Sequence, residues 1–202
     1  MHMCSLCDND YDDTDDYEDV YAEGWGHLEG RSANVDVERL LSEVTYITVY
    51  PERWNQGDWV IATEETKWDT SREPEACGTM GCLAGNAVIN AGGRLKWEKG
   101  SWYDYVTREY KDYWKTEYVF LPANEEYPEH IEQAAKELLG LDSEQADALF
   151  SGENSLDTMW EISYAISDGQ ITPEDRRKAE AELKAREENG EVRQRVTETV
   201  DA

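Results

Sequence analysis

Between Cys77 and Val88 the chain reads Cys-Gly-Thr-Met-Gly-Cys-Leu-Ala-Gly-Asn-Ala-Val, and this run of thiols and small side chains constrains the fold more than any other stretch. Thr79 is an N-cap residue type, because its hydroxyl can accept a hydrogen bond from an orphan amide of a first helical turn, and Met80 to Ala91 contain no proline. The spacing predicts a helix over that range. Gly81, Ala84, Gly85, Ala87 and Ala91 keep its surface small, while Leu83, Val88 and Ile89 supply apolar bulk and Asn86 and Asn90 are its polar positions. A glycine inside a helix costs about 1 kcal/mol relative to alanine, so two of them ask for the close approach of another backbone in return. The helix is therefore expected at the centre of a core, ending at Gly92-Gly93.

The flanking sequence predicts an α+β fold in which a small antiparallel sheet packs on that central helix and on a C-terminal helical segment. Val35, Val37, Leu40, Leu41 and Val44 recur at helical spacing from Asn34. Tyr46 to Tyr50 and Trp59 to Thr63 are β-branched or aromatic and read as a hairpin-like pair of strands, separated by Pro51 and the turn residues Asn55 to Asp58. Glu64 to Ala76 is charged and reads as a surface loop. Beyond the central helix, Arg94 to Glu98 alternates as a strand, Lys99-Gly100 is turn chemistry, and Glu117 to Leu121 is a strand closed by Pro122. Between them Tyr103 and Tyr105 fit a strand, with a helical alternative open for Ser101 to Lys115. Pro128 is expected to open a helix whose inner face holds Ile131, Ala134, Ala135, Leu138 and Leu139, stopped by Gly140. Asp142 or Ser143, Ser155 and Thr172-Pro173 open three more helices, the last almost wholly charged.

The expected domain organisation is a globular unit from Asn34 to Gly169, an arm over residues 1–33, and a charged helix with a frayed tail over residues 170–202. The arm reads as disordered because Met1 to Glu23 hold nine acidic side chains and no Lys or Arg. Its aspartates lack the glycine and distal glutamate of a calcium loop.

Charge narrows the function. The chain holds 46 acidic and 19 basic residues, a formal net charge of -27. Direct binding to nucleic acid is disfavoured, because that affinity rests on Lys and Arg displacing counterions, and an anionic membrane is disfavoured likewise. A basic protein is the partner such a field attracts. With no apolar run near the ~20 residues of a membrane span and no signal-peptide pattern, a cytoplasmic location is expected, and with it reduced thiols rather than structural disulfides.

The pattern Cys77-Gly78-Thr79-x-x-Cys82-x-Ala84-Gly85-x-Ala87, with Trp54-Asn55-Gln56-Gly57-Asp58-Trp59 before it and Leu138-Leu139-Gly140-Leu141 and Leu149-Phe150 after it, resembles a group of uncharacterised proteins from actinobacterial viruses and their hosts. The likeness covers the chain between Tyr50 and Gly169. It implies a viral or host origin and no particular chemistry. Asn86 departs from the pattern, which expects an aromatic residue or histidine there.

Three chemistries follow from the residues themselves. A thiol before a helix N-terminus is activated by the helix dipole, so Cys77 is a candidate nucleophile with His130 or His27 as its base, Asn124 or Asn154 as the orienting group, and Gln56 in the place of an upstream oxyanion donor. This is a thiol-dependent hydrolase or transferase. Cys4 and Cys7, spaced as in a zinc knuckle, together with Cys77 and Cys82, are a candidate zinc set. The third is recognition. Eight tryptophans and twelve tyrosines against two phenylalanines is an interface-like aromatic set, with Trp54, Trp59, Trp68 and Trp102 as candidate binding residues. The favoured expectation is non-catalytic: an acidic accessory protein, phage-derived, that binds a basic protein and copies the charge of DNA.

Overall fold

The computed structural model describes residues 24–62, 80–105 and 107–191. They form an α+β fold of six α-helices and one antiparallel sheet: α1 (Val37–Val49), β1 (Val60–Ala62), β2 (Met80–Gly81), α2 (Leu83–Asn90), β3 (Arg94–Asp104), β4 (Glu109–Leu121), β5 (Asn124–His130), α3 (Ile131–Leu139), α4 (Ser143–Phe150), α5 (Leu156–Ile166) and α6 (Pro173–Glu188). Among the described residues no helix is long and apolar enough to cross a membrane.

The sheet is organised by β4. One of its edges carries β3 from Arg94 opposite Phe120 to Asp104 opposite Glu109. The other is shared by β1, opposite Trp114 to Thr116, and β5, opposite Tyr118 to Leu121, while β2 extends the sheet beyond β1. Val60, Leu95 and Val119 are buried on the inner face, against α2 and α3. On the far side of α2 lie α1 and α5, with Leu40, Val44, Ile47, Met159, Trp160, Ile162 and Ile166 fully buried between the helices.

The charged last helix is part of this packing. Ala179 of α6 is buried, and Arg186 reaches α1, donating to the Val49 carbonyl, pairing with Glu52 at 3.1 Å and stacking 4.1 Å over the Tyr50 ring. At the other end of the chain a 3-10 turn over Trp25–Leu28 packs on α5 and sends Leu28 into the core. Folded structure thus extends into both stretches that flank Asn34 to Gly169.

Four local expectations are corrected. Tyr46 to Val49 is not a strand but the last turn of α1. Ile47 and Val49 lie on the buried face of that helix, and Thr48 turns its hydroxyl back to the Val44 carbonyl at 2.7 Å while accepting the Trp160 indole N–H at 3.1 Å. Burial along a helical face here outweighs β-branched propensity. The hairpin expected between Tyr46 to Tyr50 and Trp59 to Thr63 is accordingly absent, and β1 pairs with β2 and β4 instead. Lys99-Gly100 is not a turn: the Tyr113 ring lies over Gly100 and the ladder runs on to Asp104, with Arg108 in the left-handed region (φ 58°) closing the true turn. Pro128 does not open α3 but stands in β5, an edge strand, where a missing N–H is tolerated, and His130 caps the helix.

Two glycines hold the core layers at contact distance. At Gly140 (φ 66°) α3 ends in a left-handed turn, and a side chain there would meet the Asn34 carbonyl oxygen at 1.9 Å. Gly85, in the first turn of α2, faces the backbone of Trp59 directly, which is the compensating close approach that the small-residue pattern requires.

Candidate protein-binding surface

The start of α2 is a structural hub. The helix begins at Leu83, three residues later than the expected start, and its N-cap is Cys82 rather than Thr79: the Cys82 sulfur accepts the Gly85 N–H at 3.4 Å. The backbone of Met80–Gly81 is drawn into β2 instead, because Asn55 N–H donates to Gly81 O at 3.0 Å and Cys82 N–H to Asp58 O at 2.9 Å. Asn86, the position that departs from the family-like pattern, is buried and donates its amide to the carbonyls of Gly81 and Cys82 at 2.9 and 3.1 Å. It ties the helix to the strand that precedes it.

Gln56 completes the hub. Its carbonyl oxygen accepts from the Leu83 N–H and the Trp54 indole, at 3.3 and 3.0 Å, and its amide nitrogen donates to Leu149 O and Ser151 O at 3.3 and 3.0 Å. Both amide protons are directed at backbone carbonyls, so Gln56 has no donor left for an oxyanion.

Cys77, Cys4, Cys7 and Trp68 lie outside the described residues. Of the zinc set, only Cys82 is described, and it is buried, with its thiol pushed up to about 11 by loss of solvent, an effect that the surrounding backbone N–H groups only partly offset. At neutral pH about one such thiol in ten thousand is ionised. Peptide-resolved alkylation of the native protein at pH 7 is therefore expected to leave Cys82 unmodified until denaturant is added; rapid native labelling would contradict its capping role. Among the described residues no group of three or more His, Cys, Asp or Glu side chains is placed to hold a metal.

His130 sits at the α3 N-terminus, where its Nδ1 accepts the Glu132 N–H at 3.3 Å. Its ring stands edge-on to Trp59 and to Tyr118, with centroids 5.6 Å away in each case. Of the proposed orienting groups, Asn154 is engaged elsewhere, donating to Ala148 O and Leu149 O at 2.7 and 3.2 Å, and Asn124 lies at the opposite end of β5 from His130. His27 is on the 3-10 turn near Trp25, 3.9 Å from Glu144. Trp54 and Trp59 are half-buried against the core, and Trp102 lies in β3, its side chain outside the described residues.

The large hydrophobic side chains that stand exposed among those described are tyrosines, not tryptophans. Three gather at the tip of the β3–β4 hairpin, where Tyr105 and Tyr110 are 85% and 76% exposed and Tyr103 lies 5.1 and 5.2 Å from them, ring to ring.

A groove of about 710 Å³ opens where the Trp25–Leu28 turn crosses α5. Trp25, Tyr164 and Ala165 form its aromatic and apolar wall, and Glu29, Glu161 and Asp168 bring carboxylates to it with no Lys, Arg or His in the lining. Asp168 is held rigidly, in the left-handed region (φ 52°), accepting from the Gly30 N–H and the Ser32 hydroxyl at 2.5 Å each. These bonds, led by the Ser32 hydroxyl, hold its carboxyl below the usual aspartate range. Nothing in the sequence marked these residues as a site, since Trp25 and Glu29 are more than 130 positions from Tyr164. The available signal was Trp25 and Leu28 as apolar residues at the end of an acidic run.

No protein-family model matches the chain, and no curated protein or solved structure matches it either.

Proposed function

We propose that the chain is a non-catalytic accessory protein of the cytoplasm, of the actinobacterial virus and host group it resembles, that binds a basic protein through its acidic and aromatic surface. The observation that carries this reading is the distribution of cations. Arg31 is paired with Asp142 and Glu144, Arg39 with Asp36, Lys115 with Glu117, Arg176 with Asp157 and Glu180, Arg177 with Glu174, Lys178 with Asp175, and Arg186 with Glu52 and Glu191. Arg94 and Lys96 lie over the rings of Phe120 and Tyr118. These cations of the described residues are thus engaged within the fold, and over the whole chain acidic residues outnumber basic ones to give a formal net charge of -27. Such a field draws in a basic partner and repels phosphate.

In the finer reading the carboxylates stand in for the phosphates of DNA, and the partner is a DNA-binding protein. Affinity capture of the intact protein from a nuclease-treated lysate of its source cells tests both levels. One stoichiometric basic protein, released by added double-stranded DNA, is the expected result. Release by salt but not by DNA would remove the mimicry and leave the acidic binder, and the absence of any partner would overturn the proposal.

A further inference from the structure

The groove between the Trp25–Leu28 turn and α5 combines features with a common ligand chemistry. Its wall presents two aromatic side chains, Trp25 and Tyr164, and its carboxylates come from three separate places, Glu29 after the turn, Glu161 within α5 and Asp168 beyond its end. Glu29, Glu161 and Asp168 are all exposed to solvent. An aromatic face attracts a cation through its quadrupole, and a carboxylate beside it supplies the counter-charge.

We propose that this groove is the seat of an arginine side chain in a basic segment of the protein partner. The inference rests on the binding function proposed above and gives it a location. Arginine fits better than lysine, because the planar guanidinium can stack on Trp25 or Tyr164 while donating to a carboxylate in its own plane, and it gives up its hydration more readily than an ammonium. The volume exceeds the needs of one side chain, so the residues flanking the arginine are accommodated as well. The groove is also preformed. Leu28 anchors one wall in the core, Ile162 and Ile166 anchor the other, and the Asp168 bonds to Gly30 and Ser32 fix the loop that follows the turn to the end of α5. Little ordering is left for the ligand to impose, which favours affinity.

The test uses the intact protein and an arginine-rich peptide, with a second peptide in which citrulline replaces each arginine, keeping the shape and removing the charge. Affinities are measured by calorimetry for the wild type, for Glu29→Gln/Glu161→Gln, and for Glu182→Gln/Glu187→Gln, which removes the same charge from the exposed face of α6. Circular dichroism confirms that each variant is folded. The expected result is a loss of about tenfold or more for the groove variant, about twofold or less for the α6 variant, and no measurable affinity for the citrulline peptide. Equal losses in the two variants would overturn the groove as the site while leaving the acidic-binder function standing. No binding of the arginine peptide by the wild type would overturn both.

Discussion

Gly85→Ala is expected to destabilise the protein by about 4 kcal/mol or more, a large share of the ~5–15 kcal/mol that holds a typical domain folded. The added methyl would sit 1.9 Å from the Trp59 carbonyl oxygen and 2.7 Å from Val60 Cγ2. The first neighbour is backbone and cannot rotate away. Relief would require α2 to move off β1 by more than an ångström, and that shift would break Cys82 N–H to Asp58 O and Asn55 N–H to Gly81 O together. The alanine that improves an isolated helix therefore ruins this one. Gly24→Ala, where nothing lies within 4 Å, is the matched control and should be silent. Urea denaturation of both variants gives the comparison; a Gly85→Ala protein as stable as the control would mean that α2 does not contact the Trp59 backbone.

The second large effect is a dependence of stability on pH. Glu43, on α1, is only 4% exposed, and burial raises its pKa from 4.5 to about 7, against the opposing influence of the Asn90 amide, which donates to it at 2.7 Å, and of Arg39. The folded state therefore holds a proton that the unfolded state has lost between about pH 4.5 and pH 7. Stability from this group is greatest below the unfolded value, falls as pH rises through that window, and is constant above it. A shift of this size corresponds to about 3 kcal/mol. Glu43→Gln keeps an acceptor for Asn90 and removes the charge, so the variant should be more stable than the wild type by roughly that amount at pH 8 and about equal to it at pH 4.5. Thermal melts of the pair at the two pH values isolate Glu43 from the other titrating groups. A constant difference between the proteins across the range would show that Glu43 is not buried as a proton-binding carboxyl.

The helical half of the fold was legible in the sequence because its signals are local. Asp142 and Gln145 form a reciprocal capping box, Ser155 caps α5, Thr172-Pro173 opens α6, and Gly140 stops α3. The sheet was less so. The fate of Tyr46 to Val49 was decided by Trp160, more than a hundred residues away, and the continuation of β3 through Gly100 by the Tyr113 ring on the facing strand. Both are tertiary effects that no window of sequence contains. Gly85 of α2 did announce a close approach, although not its partner, while Gly81, expected in the same helix, belongs to β2. The Cys82 cap escaped notice because sulfur is an uncommon capping atom, and Thr79 offered a more familiar one. The groove was not legible at all, because its two walls are joined only by folding.

The proposed electrostatic attraction between this surface and a basic protein is tested most directly by the affinity of the intact protein for a captured partner across ionic strength. Attraction between solvent-facing charges is screened by salt, so the account predicts a fall in affinity of about tenfold or more between about 50 and about 500 mM salt. An affinity unchanged over that range would contradict it, because the complex would then be held by contacts to which the acidic surface contributes nothing.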